Sequence, residues 1–431
     1  MPESTSTTML DRKRLFLVGN LSIFMIGLGF AVRASIAGDI QGDIFNELDL
    51  ARSAGLVGEV LGATFIGFAL TLLFGSALVD RVGMRAMLLF SALGYVVGSI
   101  TVVVASLLPV TILSYWLIFI GFLLTGLGWG AVEAASNPMV AAVYPEEKTH
   151  RLNILHAWWP GGIVVGGVAG IGFAALSLPW QVNLLVLLVP ALVLAYLTVS
   201  TVFPVSERVQ AGVSYPDMFR ELIRSPGFFI WFFCMMITAA AELAPGQWVD
   251  IALTHVVGMQ GILVLIYVSM LMFVMRHFAG AIAKRISSVG LLWVSCLLAA
   301  IGLYGLSLSY SPLTAFLSAT IWGIGVCYLW PTMLSSVNER YPRGGALFLG
   351  LTGFAGGLSI QFVLPQMGAI FDSAKVEAAG SVERLATLEG EALAEVLRYA
   401  AVESFQVVAI LPLILLPVFG AIWWRDRRGA Q

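Results

Sequence analysis

Charge is scarce in this chain. Asp, Glu, Lys and Arg make up 11% of its 431 residues, where a soluble domain carries roughly a quarter. A chain so poor in charge cannot cover a water-facing surface, and 59% of its residues are hydrophobic. Cysteine is nearly absent. Cys234, Cys296 and Cys327 fall inside apolar runs at no metal-ligand spacing, so no disulfide framework and no zinc cluster is expected. No phosphate-cradling glycine loop, metal-ligand cluster or nucleophile–base pair stands at a useful spacing. Catalysis, ATP hydrolysis and a bound cofactor or metal are therefore not expected. A net charge of -2 offers no basic surplus to a nucleic acid. Alternating segments of about ten residues, the mark of a membrane barrel, are missing too.

What the chain has is a series of continuous apolar runs of about 20 residues, the length that crosses a bilayer as a helix. Twelve such spans are predicted, the first at 15–38, the eighth at 260–283, the eleventh at 344–371 and the last at 401–424. The fold class is thus an all-α polytopic membrane protein, with the lipid bilayer as its first partner. Basic residues gather in alternate loops and at both ends, as in Arg12, Lys13, Arg14, Arg425, Arg427 and Arg428, while few fall in the intervening loops. Because Lys and Arg are retained on the cytoplasmic side, both termini are predicted to be cytoplasmic. No small-residue cleavage site follows the first run, which reads as an uncleaved helix.

A polar stretch with Pro204, Pro216 and Pro226 divides the chain. The predicted organisation is an N-terminal six-helix half at 1–203, a cytoplasmic linker at 204–226 and a C-terminal half at 227–431. A parallel repeat spans the divide: Gly126, Gly128, Tyr144 and Pro145 recur at constant offset as Gly323, Gly325, Tyr341 and Pro342. Asp80-Arg81 is echoed by Lys284-Arg285, and Gly161-Gly162 by Gly356-Gly357. Parallel six-helix repeats are a transporter architecture, with the site between the halves and alternating access by rocking.

Polar groups inside the spans mark the candidate site, since ionisable residues there are costly and tend to be functional. Glu133 sits in the fourth span, where Gly126, Gly130, Glu133 and Asn137 form one helical stripe that should face a cavity. Asn153, His156 and Pro160 do the same on the fifth span. Desolvation favours the neutral form of a carboxyl, so Glu133 is a candidate proton carrier as water access changes; His156 is a second titrating candidate. Arg33 and Arg276 need a carboxylate partner or an anionic substrate, and internal pairing is expected: Arg33 with Glu59 or Asp39, Arg276 with Glu242. Trp159, Trp248 and Trp330 offer flat apolar faces and Asn137, Asn153, Gln247 and Gln361 offer amides, the lining a polyol pocket requires. Trp180 reads as an interfacial anchor. Pro138, Pro331 and Pro365 should interrupt spans four, ten and eleven. Residues 373–397 should form one or two extracellular amphipathic helices.

The segment Ser76-Ala-Leu-Val-Asp80-Arg81-Val-Gly83-Met-Arg85 resembles the signature loop of the major facilitator superfamily. That resemblance implies a gating motif of Ser76, Asp80, Arg81, Gly83 and Arg85, with Asp80 meeting the end of another helix. Glu133-Ala-Ala-Ser-Asn137-Pro138 followed by Arg151-Leu152-Asn153 resembles the fucose permease group of proton-linked sugar transporters. The chain departs from it at His156 and Trp159, where that group commonly has Gln and Asn. The resemblance implies proton-coupled uptake of a monosaccharide or similar small polar solute, a monomer in a bacterial inner or plasma membrane, and coupling through Glu133, with Asp39 as the first-helix acid. Alternatives are an organic-anion carrier using Arg33 or Arg276, an exporter of amphipathic compounds and, more remotely, a non-transporting solute receptor.

Overall fold

The computed structural model describes residues 10–146, 148–205, 214–257, 259–276, 278, 285–341 and 345–429. Every regular element among them is a helix. The membrane-length helices are α1 (Arg12–Ser35), α2 (Ser53–Val82), α3 (Met84–Leu107), α4 (Ile112–Val143), α5 (Lys148–Ala175), α6 (Leu188–Val199, extended by Gln181–Val186), α7 (Phe228–Val257), α8 (Ile262–Arg276), α9 (Ser288–Ser307), α10 (Pro312–Val326, continued by Leu329–Arg340), α11 (Gly345–Ala379) and α12 (Gly390–Gly429). Eleven are long and apolar enough to cross a bilayer, and the described part of α8 is shorter. Counting α8 as a crossing, the end of α12 returns to the side where α1 begins, here termed the terminal end.

Helix boundaries follow local chemistry. Asp11 caps α1 by accepting from the Arg14 amide at 3.0 Å. Thr111 and Ser311 open α4 and α10 with the same capping-box device, which satisfies amides that have no intrahelical partner and repeats in structure what the glycine spacing repeats in sequence. Gly83, at φ 89, makes the turn between α2 and α3 that a side chain would resist.

The bundle is apolar outside as well as inside, as a lipid-facing surface requires. On α3, Leu93, Val97, Ile100 and Val104 are exposed at helical spacing. The opposite face carries Ser91, Gly94, Tyr95, Gly98 and Ser99, and Gly98 lies against the Gly121 carbonyl of α4. Without a hydrophobic force between helices in lipid, small residues that admit close backbone contact drive such packing.

Contact between the first six and last six helices runs mainly along α2–α11 and α5–α8. A two-fold exchange of the repeats turns α2 into α8 and α11 into α5, so the two seams are one contact made twice. At the end opposite the termini the α2–α11 seam is tight. A Cβ at Gly58 or Gly368 would overlap the carbonyl oxygens of Leu364 or Ala54. Asp372 accepts the Gly55 amide at 2.7 Å and the Ala54 amide at 3.3 Å, while Lys375 pairs with Asp372 at 2.6 Å and donates to Ser53 at 3.1 Å. All three polar side chains are buried.

Three sequence expectations change here. The segment 373–397 is no separate surface layer: α11 continues to Ala379 and α12 starts at Gly390, with only the short helix Val382–Leu385 between them. Nothing before Gly380 (φ 90) breaks the helix. Pro138 and Pro365 lie inside unbroken helices, and of these three proline-bearing spans α10 alone is interrupted, between Val326 and Leu329. Trp180 is buried and donates to Asp43 at 2.9 Å, so it packs rather than anchors at an interface.

Candidate functional site

The fourth and fifth helices bring Glu133, Asn137 and His156 together. Asn137, one turn beyond Glu133, donates through Nδ2 to the Glu133 carboxylate at 2.8 Å and to the Glu133 backbone carbonyl at 3.0 Å. A carbonyl only accepts, so this pair of contacts fixes the amide with its nitrogen toward Glu133. Asn137 Oδ1 then faces His156 Nε2 at 2.9 Å, and Nε2 must carry the hydrogen. The result is a chain from His156 through a polarised amide to the carboxylate. All three side chains are half-buried.

The second cluster lies in the C-terminal helices, where Arg276 Nη2 meets Glu242 Oε1 at 3.3 Å with both side chains buried. Each remaining partner of the pair comes from a broken helical ladder. Pro331 has no N–H for the carbonyl four residues earlier, and that carbonyl, Cys327 O, accepts Arg276 Nε at 3.3 Å. The same break frees the Trp330 amide, which donates to Glu242 Oε2 at 3.2 Å. Pro160 in α5 likewise frees His156 O, which receives Arg276 Nη1 at 3.5 Å, the outer limit of a hydrogen bond. Pro245 frees Ala241 O for the indole N–H of Trp322 at 3.2 Å. One guanidinium thus touches both halves, and it lies 5.7 Å from the Trp159 ring. A cleft at this level is lined by Phe30 and Trp159 from the first half and by Glu242, Ser269, Met272 and Trp322 from the second.

Other expected site residues are placed differently. Arg33 is 1% exposed and pairs with no acid; its guanidinium nitrogens lack a hydrogen-bond partner among the described residues and sit beside Tyr95 and 5.9 Å from the Trp129 ring. Glu59 instead pairs with Arg52 at 3.5 Å and accepts the Tyr115 hydroxyl at 2.6 Å. Asp39 is exposed in the short helix Ala37–Ile40 beyond the end of α1, away from Glu133, because α1 stops at Ser35. Gly126 and Gly130 do not face a cavity. A Cβ on either would meet the α2 backbone at Thr64 or Phe68, so the stripe divides into a packing part and a polar part. Gln247 is fully buried and donates to the Phe30 carbonyl at 2.9 Å, and Trp248 is buried near Phe371. Both lie toward the end opposite the termini, near Phe30 and Phe371.

Trp159, Trp330 and Gln361 remain half-buried, with Trp330 6.3 Å from Phe68 across the halves. The side chain of Asn153 lies outside the described residues. In the loop motif, Ser76 approaches Gly350 of α11 and Arg85 donates to the Thr201 carbonyl at 2.6 Å. Asp80 and Arg81 form the last turn of α2, and residues 342–344 before α11, like Lys284, fall outside the description. Sequence reasoning missed Asp372, Lys375 and Ser53. Ending the eleventh span at 371 put the first two in water, whereas the helix carries them inward.

Comparison with known proteins gives one family. Residues 15–363 match the Major Facilitator Superfamily. A gentisate transporter of Corynebacterium glutamicum is 25% identical over 386 residues, covering 80% of this chain and 81% of its own. A class E tetracycline resistance protein of Escherichia coli is 27% identical over 162 residues, and that match spans only 37% of either protein. Among solved structures, the partially occluded inward-open xylose transporter XylE from E. coli superposes with a TM-score of 0.73 at 14% identity, over 95% of this chain and 97% of that one. The E. coli fucose:proton symporter FucP gives 0.57 at 17% identity, over 92% and 99%. At these identities the superpositions establish a shared fold.

Proposed function

We propose that this chain, which belongs to the major facilitator superfamily, is a secondary transporter that takes up a small polar solute together with protons by alternating access. The observation that carries the coupling is the hydrogen-bonded chain Glu133–Asn137–His156, built at the seam between the halves and one backbone carbonyl away from Arg276. Protonation of Glu133 would weaken the bond that it accepts from Asn137, whose Oδ1 in turn accepts from His156 Nε2. The rocking units are 1–203 and 227–431, joined by the cytoplasmic linker 204–226, with both termini cytoplasmic. The seal made by Asp372, Lys375 and Ser53 is then extracellular, and the state described is closed to the outside.

For the solute, the half-buried Asn137, Trp159, Trp330 and Gln361 support a sugar-like ligand bonded through hydroxyls. A second reading, an organic acid, is favoured by Arg276, a cation largely out of solvent whose partner Glu242 lines the cleft, and agrees with the relative named a gentisate transporter. The test is uptake of labelled monosaccharides and organic acids into proteoliposomes under an imposed pH gradient, for the wild type and Glu133→Gln. Accumulation driven by inward protons and lost in the variant, with solute exchange retained, is the expected result. Full activity of Glu133→Gln would make that residue structural.

A further inference from the structure

We infer that the groove between the facing ends of α11 and α12, on the side opposite the termini, is a binding site for an ethanolamine phospholipid of that leaflet. The site is independent of the transport reading. Helix α12 is 40 residues long, about 60 Å of helix and twice the hydrocarbon thickness of a bilayer. Its charge-free stretch runs from Ser404 to Trp424, between Glu403 and Arg425. At 1.5 Å per residue that stretch measures about 30 Å, so the two charges mark the hydrocarbon boundaries. Tyr399 then stands one turn beyond the boundary, at the depth of the headgroups, where amphipathic rings are favoured. A groove of about 530 Å³ reaches this level, lined by Glu377 of α11, Arg384 and Leu388 of the connection, and Glu395, Val396 and Tyr399 of α12.

Charge selects the headgroup. Among the described residues, none of Glu377, Arg384, Glu395 and Glu403 takes part in an ion pair. Two carboxylates and one guanidinium line the groove, and Glu403 adds a third carboxylate one turn from Tyr399 toward the hydrocarbon. A primary ammonium brings three donors to such carboxylates and is attracted to the face of a phenol ring. Arg384, whose guanidinium lies beside Gly380 at the end of α11, is the partner for the phosphodiester. An anionic headgroup without an ammonium meets mostly repulsion. Shape selects a lipid over a soluble amine. Tyr399, Glu403, Val407, Ile410 and Ile414 follow at three- and four-residue steps on one face of α12, and the last three are 43, 56 and 50% exposed. An acyl chain covers that apolar track while its headgroup fills the groove, whereas a soluble amine leaves the track bare.

The test is native mass spectrometry of the purified full chain in detergent with equal amounts of phosphatidylethanolamine and phosphatidylglycerol. The wild type should retain the ethanolamine lipid about tenfold over the glycerol lipid, as two screened ion pairs and one cation–π contact would give. Glu377→Gln/Glu403→Gln should bring that ratio to about one at an unchanged melting temperature. Glu395→Gln, at an exposed position away from the hydrocarbon boundary, should lower it about threefold and serves if the double variant folds poorly. Tyr399→Phe should keep the ratio, since the ring face carries the contact, and Tyr399→Ala should lower it about threefold. Glycerophosphoethanolamine, the same headgroup without acyl chains, should not displace the lipid at equal concentration. A wild-type ratio near one, or a ratio that survives the carboxylate variants, overturns the site. Displacement by the chain-free headgroup overturns the lipid assignment and makes the ligand a soluble amine.

Discussion

The seal opposite the termini can be opened by one atom's change, Asp372→Asn. Opening the α2–α11 seam leaves the Asp372–Lys375 pair intact, because both residues lie on α11 three positions apart. That pair cancels between the two states, and only the bonds that cross the seam count: the Gly55 and Ala54 amides to Asp372 at 2.7 and 3.3 Å, and Lys375 to Ser53 at 3.1 Å. An asparagine retains one oxygen acceptor, loses the second and turns a charge-assisted bond into a neutral one. Charged hydrogen bonds are worth about 1.5–3 kcal/mol against about 0.5–1.5 for neutral ones, so the closed state should lose about 2–3 kcal/mol. At 1.4 kcal/mol per decade this shifts the equilibrium roughly 30- to 150-fold toward the state open on that side. Spin labels at Glu47→Cys and Glu383→Cys, both exposed, read the distance across the seam, and the native cysteines are buried, which keeps background labelling low. A second, longer distance should appear in Asp372→Asn. An unchanged distribution with an unchanged melting temperature would refute the reasoning and assign the seal to the glycine contacts alone.

Adjacent glycines in α5 should behave oppositely. A Cβ at Gly162 overlaps the Phe24 carbonyl, whereas one at Gly161 meets only the Trp158 ring at 3.8 Å; Gly162→Ala should cost about 1–3 kcal/mol and Gly161→Ala nearly nothing, read as melting temperature in detergent. Arg33→Met should leave the melting temperature equal or raised, since an unpaired buried cation is replaced by a side chain of similar length, and a marked fall would point to a counter-charge supplied from elsewhere. Pro331→Ala restores an amide able to reclaim Cys327 O and straighten α10. The expected outcome is a folded protein with at least tenfold slower transport, and wild-type rates would detach the proline from the site.

The apolar spans were legible because the bilayer imposes one length on every apolar run, and the glycine echo because Gly126, Gly128 and Gly325 sit against neighbouring backbone where a side chain would not fit. Glu133 beside Asn137 was legible for the same kind of reason, since i, i+4 spacing fixes that pair before any tertiary fact is known, whereas the contact from Asn137 to His156 on α5 was not. Arg33 was not. A partner on another helix depends on rotation about the helix axis, and α1 turns Arg33 toward Tyr95 and Trp129 rather than toward Glu59. Span ends were the other weakness. Hydropathy closed the eleventh span at 371, but helix α11 has no breaker until Gly380, and that error of a few residues hid Asp372 and Lys375.

The two intramembrane arginines separate scaffold from mechanism. Both are buried, yet Arg33 packs against Tyr95 and Trp129, aromatic neighbours in its own half, whereas every polar contact of Arg276 involves a group that could release it. Cys327 O and His156 O are carbonyls that Pro331 and Pro160 bar from their helical bonds, so each would lose its guanidinium partner if α10 or α5 moved. Proline is therefore informative in these helices less as a hinge than as the source of an acceptor four residues earlier, and three of the helices that meet at the cleft, α5, α7 and α10, use it that way. A cation coordinated by one acid and by backbone from both halves ties that acid to the contact between the halves. Arg33, whose neighbours Tyr95 and Trp129 lie in its own half, makes no such tie among the described residues.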